Sequence, residues 1–192
     1  MALYGDPTYL AQFWIVILHI ILVVASMWGA AARRLDRAAG FVVLGFLGYL
    51  LFAAAELLRM ALLLFAVNAS WRAGYAVTNE PILQERFLTH LQGWSGIAEA
   101  LFFLLIMGFM LGNLFLGSVL VRGRGLERLV GAALLVWSLL GVWTHLLEHV
   151  RLPTVPQQPE WLAYTFQPAV RILIAIWLWR AASESATDVA DS

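Results

Sequence analysis

Apolar runs of twenty residues or more recur along this chain, and that single feature constrains everything else about it. A helix rises ~1.5 Å per residue, so about twenty residues cross a hydrocarbon core of about 30 Å. Hydrophobic residues make up 62% of the 192 and charged residues 12%, against about 45–50% and about 25% in soluble domains. The expectation is an all-α integral membrane protein, a five-transmembrane-helix bundle forming one domain over residues 1–182. Its spans are expected at Leu10–Ala31, Phe41–Val67, Trp94–Val121, Leu129–Val150 and Trp161–Ala181. The second and third are longer than a bilayer requires, so they tilt or protrude. This composition excludes a soluble enzyme, a nucleic-acid binder and a disordered protein.

Charge sets the orientation. Arg33, Arg34 and Arg37 lie in one short loop, and Arg122, Arg124 and Arg128 in another on the same side of a serpentine. Arginine-rich short loops stay in the cytoplasm. The N-terminus is then outside and the C-terminus inside, with the polar stretch Ser183–Ser192 as a disordered cytoplasmic tail. Asn68–Gly93 faces outward, and its stretch Ile82–Leu91 is expected as a short surface helix. Asn68–Ala69–Ser70 fits a glycosylation acceptor, a match that chance also supplies. Pro153, Pro156 and Pro159 make Leu152–Glu160 a stiff connection. The chain has no cysteine and no lysine, which removes thiolate chemistry, iron–sulfur ligation and Schiff bases.

Ionisable residues inside spans cost ~2.5–3.5 kcal/mol each at a helix centre, so each one asks for a partner or a role. There are eight: His19, Glu56, Arg59, Glu99, His145, Glu148, His149 and Arg171. Counted inward from the outer end, Glu99 and His145 lie about 8 Å deep and His19 about 12–14 Å. Glu56 and Arg59 fall at about 12–17 Å and Arg171 at about 15 Å, with Glu148 and His149 near the rim. The inner half of every span is free of charge. Helical spacing groups these residues into polar stripes. The stripes are Gln12, His19 and Ser26; Glu56 and Arg59; Gln92, Ser95 and Glu99; Ser138, His145, Glu148 and His149; and Tyr164, Gln167 and Arg171. All five point inward only if the bundle encloses a polar pocket open to the outside. The plainer alternative is a set of ion pairs fixing helix register, such as Glu56 with Arg59 or Arg171. The pattern Gly108–Phe109–Met110–Leu111–Gly112 reads as close helix packing.

Two local patterns resemble known families. His145–Leu146–Leu147–Glu148–His149 is similar to the HxxEH motif of the inverted zinc peptidases. That resemblance implies His145 and His149 as ligands of zinc or another divalent metal and Glu148 as general base. A third ligand would come from Glu99, His90, Glu56 or His19. Leu18–His19–Ile20 followed by Trp28–Gly29 resembles the first helix of small bacterial membrane proteins that hold haem b. These are the four-span protoporphyrinogen oxidases and the copper-resistance D-type proteins, and they imply His19 as an axial ligand. They also imply the bacterial cytoplasmic membrane, and the arginine-set orientation puts the expected pocket on its extracytoplasmic side.

A b-type haem needs no cysteine and sits between helices on one or two neutral imidazoles. His19 pairs by depth with His145. Arg59 or Arg171 would neutralise propionates, and Trp137, Phe102 and Phe103 would wall the ring or simply pack the core. Three functions follow. The first is a haem- or quinone-linked redox protein in which Glu99 or Glu56 moves protons. The second is a metal-dependent hydrolase at the outer leaflet, using His145, Glu148 and His149. The third is a small-ligand binding or transport module, or an accessory subunit pairing with partner membrane subunits. Lipid is the surrounding partner in all three, and nucleic acid in none.

Overall fold

The first long helix begins where the sequence supplies a cap. Asp6 precedes Pro7, and its Oδ1 accepts from the backbone N–H groups of Thr8 and Tyr9 at 2.8 and 3.3 Å. This is an acidic N-cap followed by proline at the first helical position, where the missing N–H costs nothing. The computed structural model describes residues 2–146 and 160–190. Its helices are α1 (Pro7–Ala32), α2 (Leu35–Ala61), α3 (Ala73–Val77), α4 (Pro81–Leu120), α5 (Gly125–Gly141) and α6 (Glu160–Ala190). Leu62–Arg72 joins α2 to α3 as a π-helix, and Val142–Leu146 extends α5 in the same form. No strand occurs among the described residues.

Four helical stretches are long and apolar enough to cross a membrane: Pro7–Ala32, Leu35–Val77, Pro81–Leu120 and Gly125–His145. They overlap the first four expected spans, with the second running on to Val77 and the third beginning at Pro81, well beyond the expected bounds. The fifth expected span falls within α6, which has Pro168 inside it and continues through Ala190. The expected Leu152–Glu160 connection lies almost wholly outside the described residues. The surface helix expected at Ile82–Leu91 is instead the opening of α4. Its 40 residues extend about 60 Å at 1.5 Å each, twice the hydrocarbon thickness. No residue between Leu91 and Trp94 interrupts the hydrogen bonding, because one glycine is a mild penalty in a long helix. At its start, Gln84 Nε2 donates to the Thr78 carbonyl at 2.8 Å, closing the turn from α3.

The chain packs as two compact units, Met1–Val23 with Leu51–Leu105, and Val24–Leu50 with Ile106–Ser192. In the first, Phe13, Met60 and Leu64 form a buried cluster with Tyr9, Leu10 and Val16 against it. Farther along, the Phe87 ring fills the space a side chain at Gly74 would need. Trp71 stacks on His90 with ring centroids 5.3 Å apart.

The second unit is built on glycine. A Cβ at Gly48 would stand 2.5 Å from the Gly112 nitrogen and 2.8 Å from the Gly108 oxygen. The backbones of α2 and α4 therefore touch, and the Gly108/Gly112 pattern is the packing face its spacing suggests. Gly131 of α5 meets the backbone of Leu120 and Val121 in the same way. Beside these contacts Tyr49, fully buried, donates its hydroxyl to Asn113 Oδ1 at 2.6 Å. Ser138 donates to the Met110 carbonyl at 2.9 Å. Arg34, in the α1–α2 connection, forks onto both oxygens of the Glu127 carboxylate on α5. That pair ties the two arginine-rich loops together within this unit.

Glycine substitutions separate contact from propensity. Gly48→Ala drives a Cβ into backbone that cannot yield, whereas Gly40→Ala meets nothing within 4 Å. The first should destabilise by roughly 1–3 kcal/mol and the second should leave stability equal or higher. Thermal melts followed by tryptophan fluorescence measure both.

Candidate functional site

Glu56 and Arg59 sit one turn apart on α2, so their side chains meet on one face. Arg59 Nε and NH2 donate to the two Glu56 carboxylate oxygens at 2.6 and 2.5 Å. Glu56 is buried and Arg59 half-buried. Of the partners open to Glu56, the one on its own helix takes it. A planar fork on a carboxylate holds both groups in fixed rotamers, and each Glu56 oxygen already accepts a charged donor.

Beyond this pair the chain enters the π-helix Leu62–Arg72. Arg72 NH1 donates to Asn68 Oδ1 at 2.9 Å and to the Tyr9 hydroxyl oxygen at 3.0 Å, linking this segment to the start of α1. Asn68 is 1% exposed, and its Nδ2 has no hydrogen-bond partner among the described residues. Its burial closes Asn68 to glycosylation in this fold, because the amide nitrogen that would carry the sugar is inside. Reading the sequence passed over Arg72 and Tyr9. The available signal was the i, i+4 spacing of Asn68 and Arg72 at the end of an apolar run.

The remaining candidates are placed as follows. His19 on α1 is half-buried and Gln12 is exposed. On α4, Gln92, Ser95 and Glu99 are exposed rather than turned inward. The reason is a neighbouring stripe, Phe87, Leu91, Trp94, Ala98, Leu101 and Leu105, spaced alternately by four and three and at least half-buried throughout. Apolar contact claims that face, and the polar stripe is rotated about 100° from it. Glu99 has no ion-pair partner among the described residues. His90 is exposed apart from its stacking on Trp71.

In the second unit His145 is half-buried within the π-turn Val142–Leu146. Such turns are rare and recur at functional sites. Arg171, three residues beyond Pro168 on α6, is exposed and has no ion pair among the described residues. Ser138 is buried on its carbonyl partner. Trp137 packs edge-on to Phe109 at 4.8 Å and Phe166 at 6.2 Å, a core position. Phe102 is exposed and Phe103 half-buried. Glu148 and His149 lie outside the described residues, so the HxxEH pattern is represented by His145 alone. Among the described residues no three His, Asp or Glu side chains group as metal ligands.

No protein-family model matches the chain, and comparison with curated proteins and with solved structures finds no match.

Glu56→Gln leaves the Arg59 charge without its carboxylate in a half-buried place. The expected cost is roughly 1–3 kcal/mol. Replacing both residues by leucine should recover most of it, because paired removal leaves no orphaned charge. A double-mutant cycle of thermal melts reads the coupling directly.

Proposed function

We propose that this chain is a multi-pass membrane subunit that uses polar groups on its apolar helices to hold a ligand or a partner subunit. The observation that carries this reading is the exposure of Glu99 and Arg171 without ion pairs among the described residues. Glu99 stands in the apolar stretch 96–112 of α4, and Arg171 in the apolar stretch 169–179 of α6. Against lipid tails either charge costs about 2.5–3.5 kcal/mol near mid-membrane, so a counter-group from outside the chain is the cheaper state. The arginine-rich loops around Arg34 and Arg124 lie on the cytoplasmic side, with the N-terminus outside. The Arg34–Glu127 pair supports a common side for both loops. Glu99 then faces the outer half of the bilayer.

Glu99→Gln discriminates by sign. If Glu99 faces lipid, neutralising it raises the stability of the isolated protein. If it meets a partner or ligand, Glu99→Gln and Arg171→Gln each lose a stoichiometric bound species that native mass spectrometry detects on the wild type. Wild-type protein that is bare under mild detergent, with a stabilised Glu99→Gln variant, overturns the proposal.

A second reading is a b-haem or quinone-linked redox protein. It is favoured by two half-buried histidines, His19 and His145, on different helices. Haem would draw on one of these imidazoles as an axial ligand. An oxidised and dithionite-reduced spectrum of purified protein decides it. A reduced α-band with near-stoichiometric iron, bleached in His19→Ala, is the expected result, and a colourless iron-free protein removes this reading.

A further inference from the structure

Tyr9, Asn68 and Arg72 form a cluster with donors in excess. Arg72 carries five N–H donors and no acceptor. NH1 serves both the Tyr9 oxygen and Asn68 Oδ1, and no carboxylate pairs with this guanidinium among the described residues. The Tyr9 oxygen accepts from Arg72, which leaves its own proton to donate. Asn68, almost wholly buried, has Nδ2 unmatched. A buried unmatched amide costs about 1–3 kcal/mol, and natural structures rarely leave one without a reason. Arg72 Nε and NH2 and the Tyr9 hydroxyl proton thus have no acceptor among the described residues, and neither has the enclosed Asn68 Nδ2. What they lack is an oxyanion.

Position selects which oxyanion. Tyr9 stands at the head of the first apolar stretch, and Asn68 and Arg72 at the far end of the second. Trp71 is the next residue along, and tryptophan and tyrosine gather at headgroup level. Arginine there meets phosphate, for which its planar fork is well matched. We propose that Arg72 binds the phosphate of a phospholipid headgroup, with the Tyr9 hydroxyl as a second donor and Asn68 Oδ1 holding the guanidinium in place. The π-helical winding of Leu62–Arg72 is the local backbone that carries two of the three. This site does not depend on what Glu99 and Arg171 meet.

The test titrates detergent-solubilised full chain with phosphatidylglycerol and reads adducts by native mass spectrometry. The wild type should retain one phospholipid per chain. Diacylglycerol of the same acyl chains should not be retained, since it lacks the phosphate. Arg72→Gln should weaken retention about tenfold or more. Arg72→Lys should fall between, because it keeps charge but loses the fork. Asn68→Leu should weaken retention while removing the buried amide, and its melting temperature should hold or rise. Equal retention by wild type and Arg72→Gln, equal retention of diacylglycerol, or displacement of the adduct by millimolar inorganic phosphate overturns the proposal. If Arg72→Gln does not fold, the Arg72→Lys and Asn68→Leu pair carries the decision, and unchanged retention in both rejects the site.

Discussion

A backbone amide inside hydrocarbon has no water to bond, and every other feature of this chain is arranged around that constraint. Helices satisfy it within a single segment, which is why the described elements are helical. Once the backbone is satisfied, helix association gains little from hydrophobicity, since lipid tails are as apolar as leucine. Close approach has to supply the attraction. Gly48 against Gly108 and Gly112, and Gly131 against Leu120 and Val121, bring backbones into contact where any larger residue would hold them apart. Dispersion then acts over many atom pairs at short range.

Polar side chains complete what the glycines begin. Tyr49 with Asn113 and Ser138 with the Met110 carbonyl are hydrogen bonds in a setting with no competing water. Each link depends on the glycine contacts beside it, because a hydroxyl reaches its acceptor only when the helices are near. The Arg34–Glu127 fork does the same at the loop end, between elements 93 residues apart in sequence. The other unit has a different economy. Among the described residues its ion pair is local, Glu56 with Arg59, and its Arg72 has neutral partners only.

Much of this was legible beforehand. The span positions follow from run length and hydropathy, and the Gly108/Gly112 face from spacing alone. The cap signal Asp6–Pro7 is present in the sequence, although the span expected from hydropathy begins only at Leu10. The amphipathic stretch Ile82–Leu91 reads as a separate surface helix, while α4 runs unbroken from Pro81 through it to Leu120. The outward turn of Glu99 was also missed. Both stripes on α4 have helical period, and periodicity does not say which of two adjacent faces a neighbour will claim. Asn113 escaped notice as a lone amide in an apolar stretch, although its burial beside Tyr49 makes it a fixed point of its unit.

The division has a physical basis. Helix formation, capping and span length depend on residues within about four positions of one another, and so the sequence by itself determined the helices, their approximate limits and the clustering of arginine in two loops. Which side chains meet depends on the rotation of each helix about its axis and on which helix stands next to it. Only the tertiary structure decided that Glu56 takes Arg59, that Arg34 reaches Glu127, that Tyr49 finds Asn113, and that Asn68 is buried with a donor unmet.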